Sequence, residues 1–249
     1  MTVNPELILL ACATYLFAGT IKGMVGIGLP TASIGILSQF TNPRIAIALV
    51  VFPILISNAW QMYREGQVLQ TVKRYWVFAV CLMVVLGAMT AVTSRIDTNV
   101  LILILGAVIV LFSATSLMTL PPQLPPRFDR AAQIIAGSLA GAIGGLTAIW
   151  SPPMVIYLLS RRVEKDEFVR VTGLLIFLGG IPLCIGFWQA GLFTGDISLL
   201  SLGLIVPTLI GFSLGEVIRR RLDAQRFRTA VLVMFLLMGL NLVRKAVFS

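Results

Sequence analysis

Apolar segments of about 20 residues recur along the whole chain, and they restrict the possible fold more than any other feature. Of the 249 residues, 58% are hydrophobic and only 12% are charged. A soluble domain of this length needs more charge to cover its surface. Each apolar segment is instead long enough to cross roughly 30 Å of hydrocarbon. The composition therefore predicts an all-α polytopic membrane protein that lies in the lipid bilayer and has no soluble domain.

Eight hydrophobic segments are predicted, in two sets of four. Residues 1–120 form the first repeat, residues 121–130 a Pro-rich linker (PPQLPPRFDR), and residues 131–249 the second repeat. The prolines favour a stiff, extended connector. The segments run from Leu7 to Phe40, Ile45 to Tyr63, Tyr75 to Thr93 and Val100 to Leu120, and then from Ala131 to Ser160, Val169 to Ala190, Ile197 to Leu214 and Thr229 to Val243.

The two halves contain matching sequences in the same order. AGTIKG in the first segment matches AGSLAG in the fifth, and the Trp-Gln pair near the end of the second segment recurs in the sixth. RIDTN and RLDAQ precede the fourth and eighth segments, and their acidic residues, Asp97 and Asp223, are candidate N-caps. Three matches in one order predict an internal repeat, which is common in transporters.

The first and fifth segments each contain helix-breaking residues. The stretch GTIKGMVGIGLPT, Gly19–Thr31, holds four glycines, a proline and a lysine, and its counterpart is GSLAGAIGGLTAIWSPP. As straight helices the two segments would be roughly 50 and 45 Å long, too long for one crossing and too short for two. We therefore predict that each is broken at mid-membrane and forms a re-entrant hairpin.

The distribution of basic residues supports this arrangement over eight simple crossings. Simple crossings place 11 basic residues on one side and 7 on the other, whereas two re-entrant hairpins place 14 against 4. Loops with many Lys and Arg residues stay in the cytoplasm. Each half then crosses three times, so the predicted halves are inverted repeats. The net charge of +9 is explained by topology and does not indicate nucleic-acid binding.

A half-helix that begins at mid-membrane presents unpaired N–H groups and the positive end of its dipole, which together favour an anion. Pro30 and Pro152 suit a first helical turn, and Ser151 is a candidate cap. Glycine lets a ligand approach the backbone closely. The candidate substrate-binding residues are Lys22, Gly23, Gly26, Gly28, Pro30, Thr31, Asn58 and Gln61 in the first half, and Gly144, Gly145, Trp150, Ser151, Pro152 and Gln189 in the second.

Lys22 has no deep Asp or Glu to neutralise it, so a small anionic substrate would supply the counter-charge. The alternative is that Lys22 extends to the interface. The glycine pairs Gly19/Gly23 and Gly137/Gly141 could equally serve close helix packing. Asn58, Gln61 and Gln189 could bond between helices or lie at the interface. Three of the four tryptophans, Trp60, Trp76 and Trp188, are assigned to the interface.

An intramembrane enzyme is disfavoured, because the chain has no histidine and no deep carboxylate for acid–base or metal chemistry. The three cysteines lie in apolar segments without CxxC spacing, so neither a disulfide nor a metal site is predicted. No cofactor is predicted. The remaining alternative to a transporter is an accessory or assembly membrane protein that transports nothing.

The stretches GTIKGMVGIGLPT, GGLTAIWSPPMVIYLL and PILISNAWQ resemble the sulfite exporter TauE/SafE family of membrane permeases. The resemblance covers nearly the whole chain. It implies transport of sulfite, sulfonates, thiosulfate or related anions across the prokaryotic inner membrane. Many members show a glycine triplet where this chain has GIGLP. The site residues that the resemblance implies are Gly23, Gly26, Gly28, Pro30, Gly144, Gly145, Thr147, Pro152 and Pro153.

Overall fold

The computed structural model describes residues 5–93, 96–117, 121–191, 193, 195–219 and 224–248. These residues form helices and short connections, without strands. Seven helical stretches among them are long and apolar enough to cross a membrane. The prediction of an all-α polytopic membrane protein is therefore confirmed.

The helices follow the predicted segments, although several begin earlier than predicted, such as α4 at Val68 rather than at Tyr75. The predicted linker is shorter than expected, because a 3₁₀ turn occupies Pro126–Phe128 and α6 already begins at Asp129. The seventh segment consists of two helices rather than one. The helices are α1 Pro5–Val25, α2 Leu29–Phe40, α3 Pro43–Glu65, α4 Val68–Thr93, α5 Thr98–Leu117, α6 Asp129–Thr147, α7 Ser151–Ser160, α8 Lys165–Gln189, α9 Gly195–Gly203, α10 Ile205–Arg219 and α11 Ala224–Phe248.

Side-chain caps fix the starts of two helices in the first half. The Asn42 side chain accepts a hydrogen bond from the Arg44 N–H at 2.9 Å, directly before α3. Asp97 Oδ1 accepts one from the Asn99 N–H at 2.8 Å, the bond predicted for a cap of α5. The matching candidate, Asp223, lies outside the described residues, as do residues 118–120 at the predicted end of the fourth segment.

The main packing partner of each long helix lies in the other half of the chain. Helix α1 packs against α10, and α4 packs against α6. Helix α3 packs against α8, and α5 against α11. The short helices also contact helices of the other half, since α2 contacts α11 and α7 contacts α5. Each of these contacts between the two halves thus has a counterpart in which the halves change places.

Glycines allow α1 and α10 to pack with their backbones in contact. A Cβ atom on Gly19 would lie 2.4 Å from the Thr208 carbonyl oxygen, and one on Gly23 would lie 2.1 Å from that of Phe212. From the first contact to the second, the chain advances four residues in α1 and four residues in α10, so the two helices run parallel. The small-residue spacing therefore serves helix packing.

Helices α4 and α6 repeat this arrangement, with α6 of the second half in the place of α1. A Cβ atom on Gly137 would lie 2.7 Å from the Phe78 carbonyl oxygen, and one on Gly141 would lie 2.8 Å from that of Leu82. These helices also run parallel. The matching AGxxxG sequences thus form matching contacts.

Asp129 holds the start of α6 beside the end of α7. Its Oδ1 atom lies 3.1 Å from Arg161 Nε and accepts a hydrogen bond from the Tyr157 hydroxyl at 2.8 Å. The Leu124 N–H donates to the Ser160 carbonyl at 2.9 Å nearby. Helices α6 and α7 are therefore antiparallel, and residues 148–150 form the turn between them.

Ion pairs join several helix ends at one face of the bundle, which we call the basic face. Arg64 at the end of α3 pairs with Glu216 near the end of α10. Arg74 in α4 pairs with Glu167 in α8 at 2.9 Å. The Tyr75 hydroxyl donates to the same Glu167 at 2.7 Å. The ends of α3, α7 and α10 and the starts of α4, α6 and α8 thus meet at this face.

The starts of α3 and α5 meet at the opposite face. Arg44 Nη1 donates to the Thr98 hydroxyl at 2.9 Å, and Arg44 Nη2 donates to the Ile96 carbonyl. Since α2 ends only three residues before α3 begins, the end of α2 also lies at this opposite face.

Candidate functional site

Two glycines form the connection between α1 and α2. Gly26 and Gly28 have φ angles of 87° and 106°, a conformation that residues with a Cβ rarely adopt. The Gly26 N–H still donates to the Lys22 carbonyl at 2.7 Å, which closes the last turn of α1. Pro30 lies in the first turn of α2, the position predicted for it.

Lys22 is buried one turn before this connection, with a relative accessibility of 1%. Its Nζ atom donates to Asn58 Oδ1 at 2.5 Å and lies 5.9 Å from the centroid of the Phe212 ring. The Asn58 Nδ2 group donates to the Ile54 carbonyl at 2.7 Å, which turns Oδ1 toward the lysine. The ammonium therefore lies inside the protein, and the alternative that it extends to the interface is wrong.

No carboxylate pairs with Lys22 among the described residues. The ion pairs in this part of the chain join Arg64 to Glu216, Arg74 to Glu167 and Arg161 to Asp129. An ammonium group has three donor hydrogens, and within the described part of the chain only the Asn58 oxygen is at hydrogen-bonding distance from Nζ. Phe212 presents the face of an aromatic ring rather than an acceptor atom. Lys22 is thus a buried cationic group with little compensation from the protein.

A small hollow, which we call the lysine hollow, lies beside the Lys22 side chain. Its volume is about 20 Å³, enough for about one water molecule. The Gln61 amide donates to the Val169 carbonyl at 2.8 Å, whereas its Oε1 atom is buried without a partner. The hollow is lined by Lys22, Gly23, Gly26, Gln61, Arg64, Glu65, Val169, Phe212 and Glu216.

A larger cavity of about 400 Å³, which we call the vestibule, lies on the other side of the α1–α2 connection. Ile27 and Gly28 contribute to its wall there, while Val163 and Lys165 line it next to the start of α8. The vestibule therefore extends from the basic face to the N-terminus of α2. Phe112 and Phe235 are among its mostly apolar lining residues.

The connection between α6 and α7 is closed by Thr147 rather than by Ser151. The Thr147 hydroxyl donates to the Ile143 carbonyl at 2.8 Å, and its oxygen accepts from the Ile149 N–H at 3.1 Å. Ser151 is already the first residue of α7 and makes no capping bond, so its predicted capping role is wrong. Pro152, the counterpart of Pro30, does lie in the first turn of α7.

Trp150 fills the space beside this second connection. A Cβ atom on Gly144 would lie 2.9 Å from the tryptophan side chain, and one on Gly179 in α8 would lie 3.1 Å from it. The indole is buried, and its Nε1 atom has no hydrogen-bond partner. These two glycines therefore make room for the indole.

The sulfite exporter TauE/SafE family model matches residues 11–242. The chain belongs to this family. The resemblance seen in its sequence is thereby confirmed, and the family is one of membrane transporters. Neither a curated protein nor a solved structure matches the chain.

The structure of this TauE/SafE permease brings most first-half candidates together. Lys22, Gly23, Gly26 and Gln61 line the lysine hollow, and Asn58 contacts Lys22 directly. Gly28 lines the vestibule instead. Pro30 and Thr31 follow in the first turn of α2, where the buried Thr31 hydroxyl has no partner.

The second-half candidates lie around the other connection, with one exception. Gly145 packs against α4, since a Cβ atom there would lie 2.5 Å from Met89 Cβ. Gln189 is exposed at the end of α8, about 30 Å along that helix from Val169 at a rise of 1.5 Å per residue. It therefore lies away from the lysine hollow. The residues at the connection are Gly144, Gly145, Thr147, Trp150, Ser151, Pro152 and Pro153.

The permease places its charged group in one half only. The AGTIKG/AGSLAG match pairs Lys22 with Ala140, and the Trp-Gln match pairs Asn58 with Gly186. A Cβ atom on Gly186 would lie 2.2 Å from the Thr90 hydroxyl, so the space filled by Asn58 in one half is closed in the other. The candidate site is therefore asymmetric, although the packing partners of the long helices match.

The sequence interpretation missed that Arg64 and Glu216 border the site. Glu216 lies just beyond the predicted seventh segment, yet its side chain is 31% exposed and it joins the lysine hollow to the basic face. The sequence feature that could have indicated this is the position of Glu216. It lies one helical turn beyond Phe212, on the face of α10 that carries the packing glycines Gly211 and Gly215.

Proposed function

We propose that this permease carries small anions of the sulfur oxyanion or sulfonate class across the prokaryotic inner membrane and binds them at Lys22. The observation that carries the proposal is the buried Lys22 ammonium, which has no carboxylate partner among the described residues. Burying an uncompensated charge costs several kcal/mol. An anion beside Lys22 offsets that cost and accepts the hydrogen bonds that Asn58 leaves unmade.

The start of α2 adds a second attraction for an anion. The first N–H groups of a helix have no partner within the helix, and its dipole is positive at that end. Gly28 exposes this backbone to the vestibule. An anion that enters from the basic face would meet the N-terminus of α2 first and then Lys22, one turn before the connection.

The helix contacts support two inverted repeats with re-entrant hairpins. Asp129 and Arg161 join both ends of the α6–α7 pair at the basic face. Helix α1 runs parallel to α10 and therefore ends toward the basic face, while α2 returns to the opposite face. The two hairpins thus enter from opposite sides. The halves 1–120 and 131–249 then each cross the membrane three times, and the positive-inside rule places the basic face in the cytoplasm.

The direct test is uptake by the purified permease in lipid vesicles. Sulfite, thiosulfate, methanesulfonate and acetate are offered separately, with choline as the cation, and protein-free vesicles report leakage. We expect saturable uptake of at least one sulfur anion in preference to acetate and choline. Uptake of choline alone would contradict the anion proposal. A lack of uptake for every compound would favour the alternative of a non-transporting accessory protein.

Asn58→Asp is expected to weaken anion binding, because it supplies the counter-charge that the site lacks. A carboxylate at the position of the Asn58 amide would pair with Lys22, whose Nζ atom is 2.5 Å away. Displacing a buried ion-pair partner costs several kcal/mol, so we expect the KM for the transported anion to rise at least about tenfold.

Asn58→Ser is the comparison for this variant. It keeps a neutral acceptor beside Lys22 without adding charge, and we expect a smaller rise in KM. The uptake assay in vesicles measures both. An unchanged KM for Asn58→Asp would contradict the assignment of Lys22 to the anion site.

A further inference from the structure

The lysine hollow raises the question of what happens to the Lys22 charge when no anion is bound. A carrier has to return with its site empty, and the site must then be closed to both sides. A closed, dehydrated site with an uncompensated ammonium is energetically unfavourable. The cost disappears if the lysine gives up its proton when the anion leaves.

The contacts of Lys22 suit a neutral amine as well as an ammonium. Its single hydrogen bond runs from Nζ to Asn58 Oδ1, which an NH₂ group also makes. The Phe212 ring is the other close neighbour, at 5.9 Å from Nζ to the ring centroid. Neither partner requires the positive charge, whereas a carboxylate would.

A proton also has a short route between Lys22 and the basic face. The lysine hollow has the volume of about one water molecule. The unpartnered Gln61 Oε1 atom is an acceptor for such a water, and Glu216 borders the same hollow. The Glu216 and Arg64 side chains, which also line the hollow, are 31% and 43% exposed, so the hollow adjoins groups that contact bulk water.

The charged groups that face Lys22 come from two of the helices that line the lysine hollow. Helix α3 contributes Arg64 and Glu65, and α10 contributes Glu216. Helix α8 contributes Val169 to the hollow and no titratable side chain among the described residues. Arg64 pairs with Glu216, and neither Glu216 nor Glu65 forms an ion pair with Lys22.

We propose that Lys22 is the proton carrier of the permease, so that one proton moves with each anion. The proposal rests on the proposed function and adds the coupling ion to it. On loading, the Lys22 amine takes a proton from a hydronium ion in the hollow and leaves water. On release, the ammonium returns the proton to water, and no other bond changes. A monovalent anion and its proton then cross together without net charge.

The test uses the full-length permease in vesicles that contain a pH-sensitive dye, with the membrane potential clamped at zero. Methanesulfonate is the probe, because it has no protonated form near neutral pH and cannot carry the proton itself. Thiosulfate, which shares this property, replaces it if methanesulfonate is not taken up. We expect an inward methanesulfonate gradient to acidify the lumen, with about one proton for each anion, since one amine binds one proton.

Lys22→Arg separates anion binding from proton movement. Arginine keeps the positive charge but does not lose its proton in proteins. We expect exchange of labelled methanesulfonate across equal concentrations to persist, while net uptake and acidification fall at least about tenfold, because the empty site stays charged. Lys73→Arg makes the same change at an exposed position of α4 and should leave both rates as in the wild type.

Three results would overturn the proposal, and they are distinguishable. Anion uptake without acidification in the wild-type permease overturns proton coupling and leaves the proposed function standing. Acidification by Lys22→Arg at the wild-type rate overturns the assignment to Lys22. No uptake of any anion overturns the proposed function and the coupling together. If Lys22→Arg does not fold, the wild-type measurement alone decides, together with the rise of net uptake on lowering the external pH.

Discussion

Uptake of the transported anion is expected to fall at least about 100-fold in Lys22→Gln, because removal of one partner from a buried charge pair typically costs about 3–5 kcal/mol. Glutamine is one bond shorter than lysine, but it keeps an N–H donor on the side of Asn58 Oδ1, which lies 2.5 Å from Nζ in the wild type. The variant therefore removes the charge and keeps a neutral hydrogen-bond donor at this position. Uptake in vesicles measures the loss.

The same variant should fold as well as the wild type. Lys22 has no carboxylate partner among the described residues, so its replacement leaves no orphaned negative charge there. We expect the melting temperature in detergent to be equal or higher. Lys73→Gln, the same change at an exposed position, should alter neither uptake nor melting. Uptake by Lys22→Gln within threefold of the wild-type rate would contradict a binding role for the lysine.

Local chemistry allowed the sequence to predict where helices start and end. Gly26 and Gly28 have positive φ angles, and Pro30 and Pro152 lie in first turns, as expected for glycine and for proline. The cap at Asp97 follows from its side-chain chemistry in the same way. Ser151 does not cap α7 as predicted, since the Thr147 hydroxyl already accepts a hydrogen bond from the Ile149 N–H before the helix begins.

The partners of the buried polar groups could not be predicted, because they depend on how helices align in three dimensions. The sequence identified Lys22, Asn58 and Gln61 as polar groups in apolar surroundings. It did not indicate that Asn58 Oδ1 faces Lys22 or that Gln61 donates to Val169. The internal repeat was misleading for Gln189, since the match with Gln61 suggested an equivalent environment, yet Gln189 is exposed.

The glycines required the structure to decide between two roles that the sequence left open. Spacing alone is compatible with a ligand that approaches the backbone and with a neighbouring helix that does so. Gly23 does border the lysine hollow, but its absent side chain is replaced by the backbone of α10. The close approach of α1 and α10 then brings Phe212 and Glu216 to the site. The packing of α1 on α10 and the shape of the lysine hollow therefore depend on the same residue.

Gly23→Ala is expected to lower both stability and uptake, because the added methyl group meets backbone atoms that cannot rotate away. The Cβ atom would lie 2.1 Å from the Phe212 carbonyl oxygen, 2.9 Å from its carbon and 3.1 Å from the Glu216 nitrogen. Overpacking of this kind costs about 1–3 kcal/mol or more. We expect the melting temperature to fall by about 5–10 °C. Uptake should fall with it, because α10 must move away from Lys22.

Gly87→Ala is the matched control, since it makes the same change within a helix where space is available. Its Cβ atom would contact only Pro182 Cβ, at the ordinary distance of 3.5 Å. Alanine is also a better helix former than glycine, by roughly 0.8–1 kcal/mol. Gly87→Ala should therefore melt at the wild-type temperature or above it and transport normally. Equal melting temperatures for the two variants would show that α1 and α10 do not pack through Gly23, and the position of Glu216 at the lysine hollow would lose its structural basis.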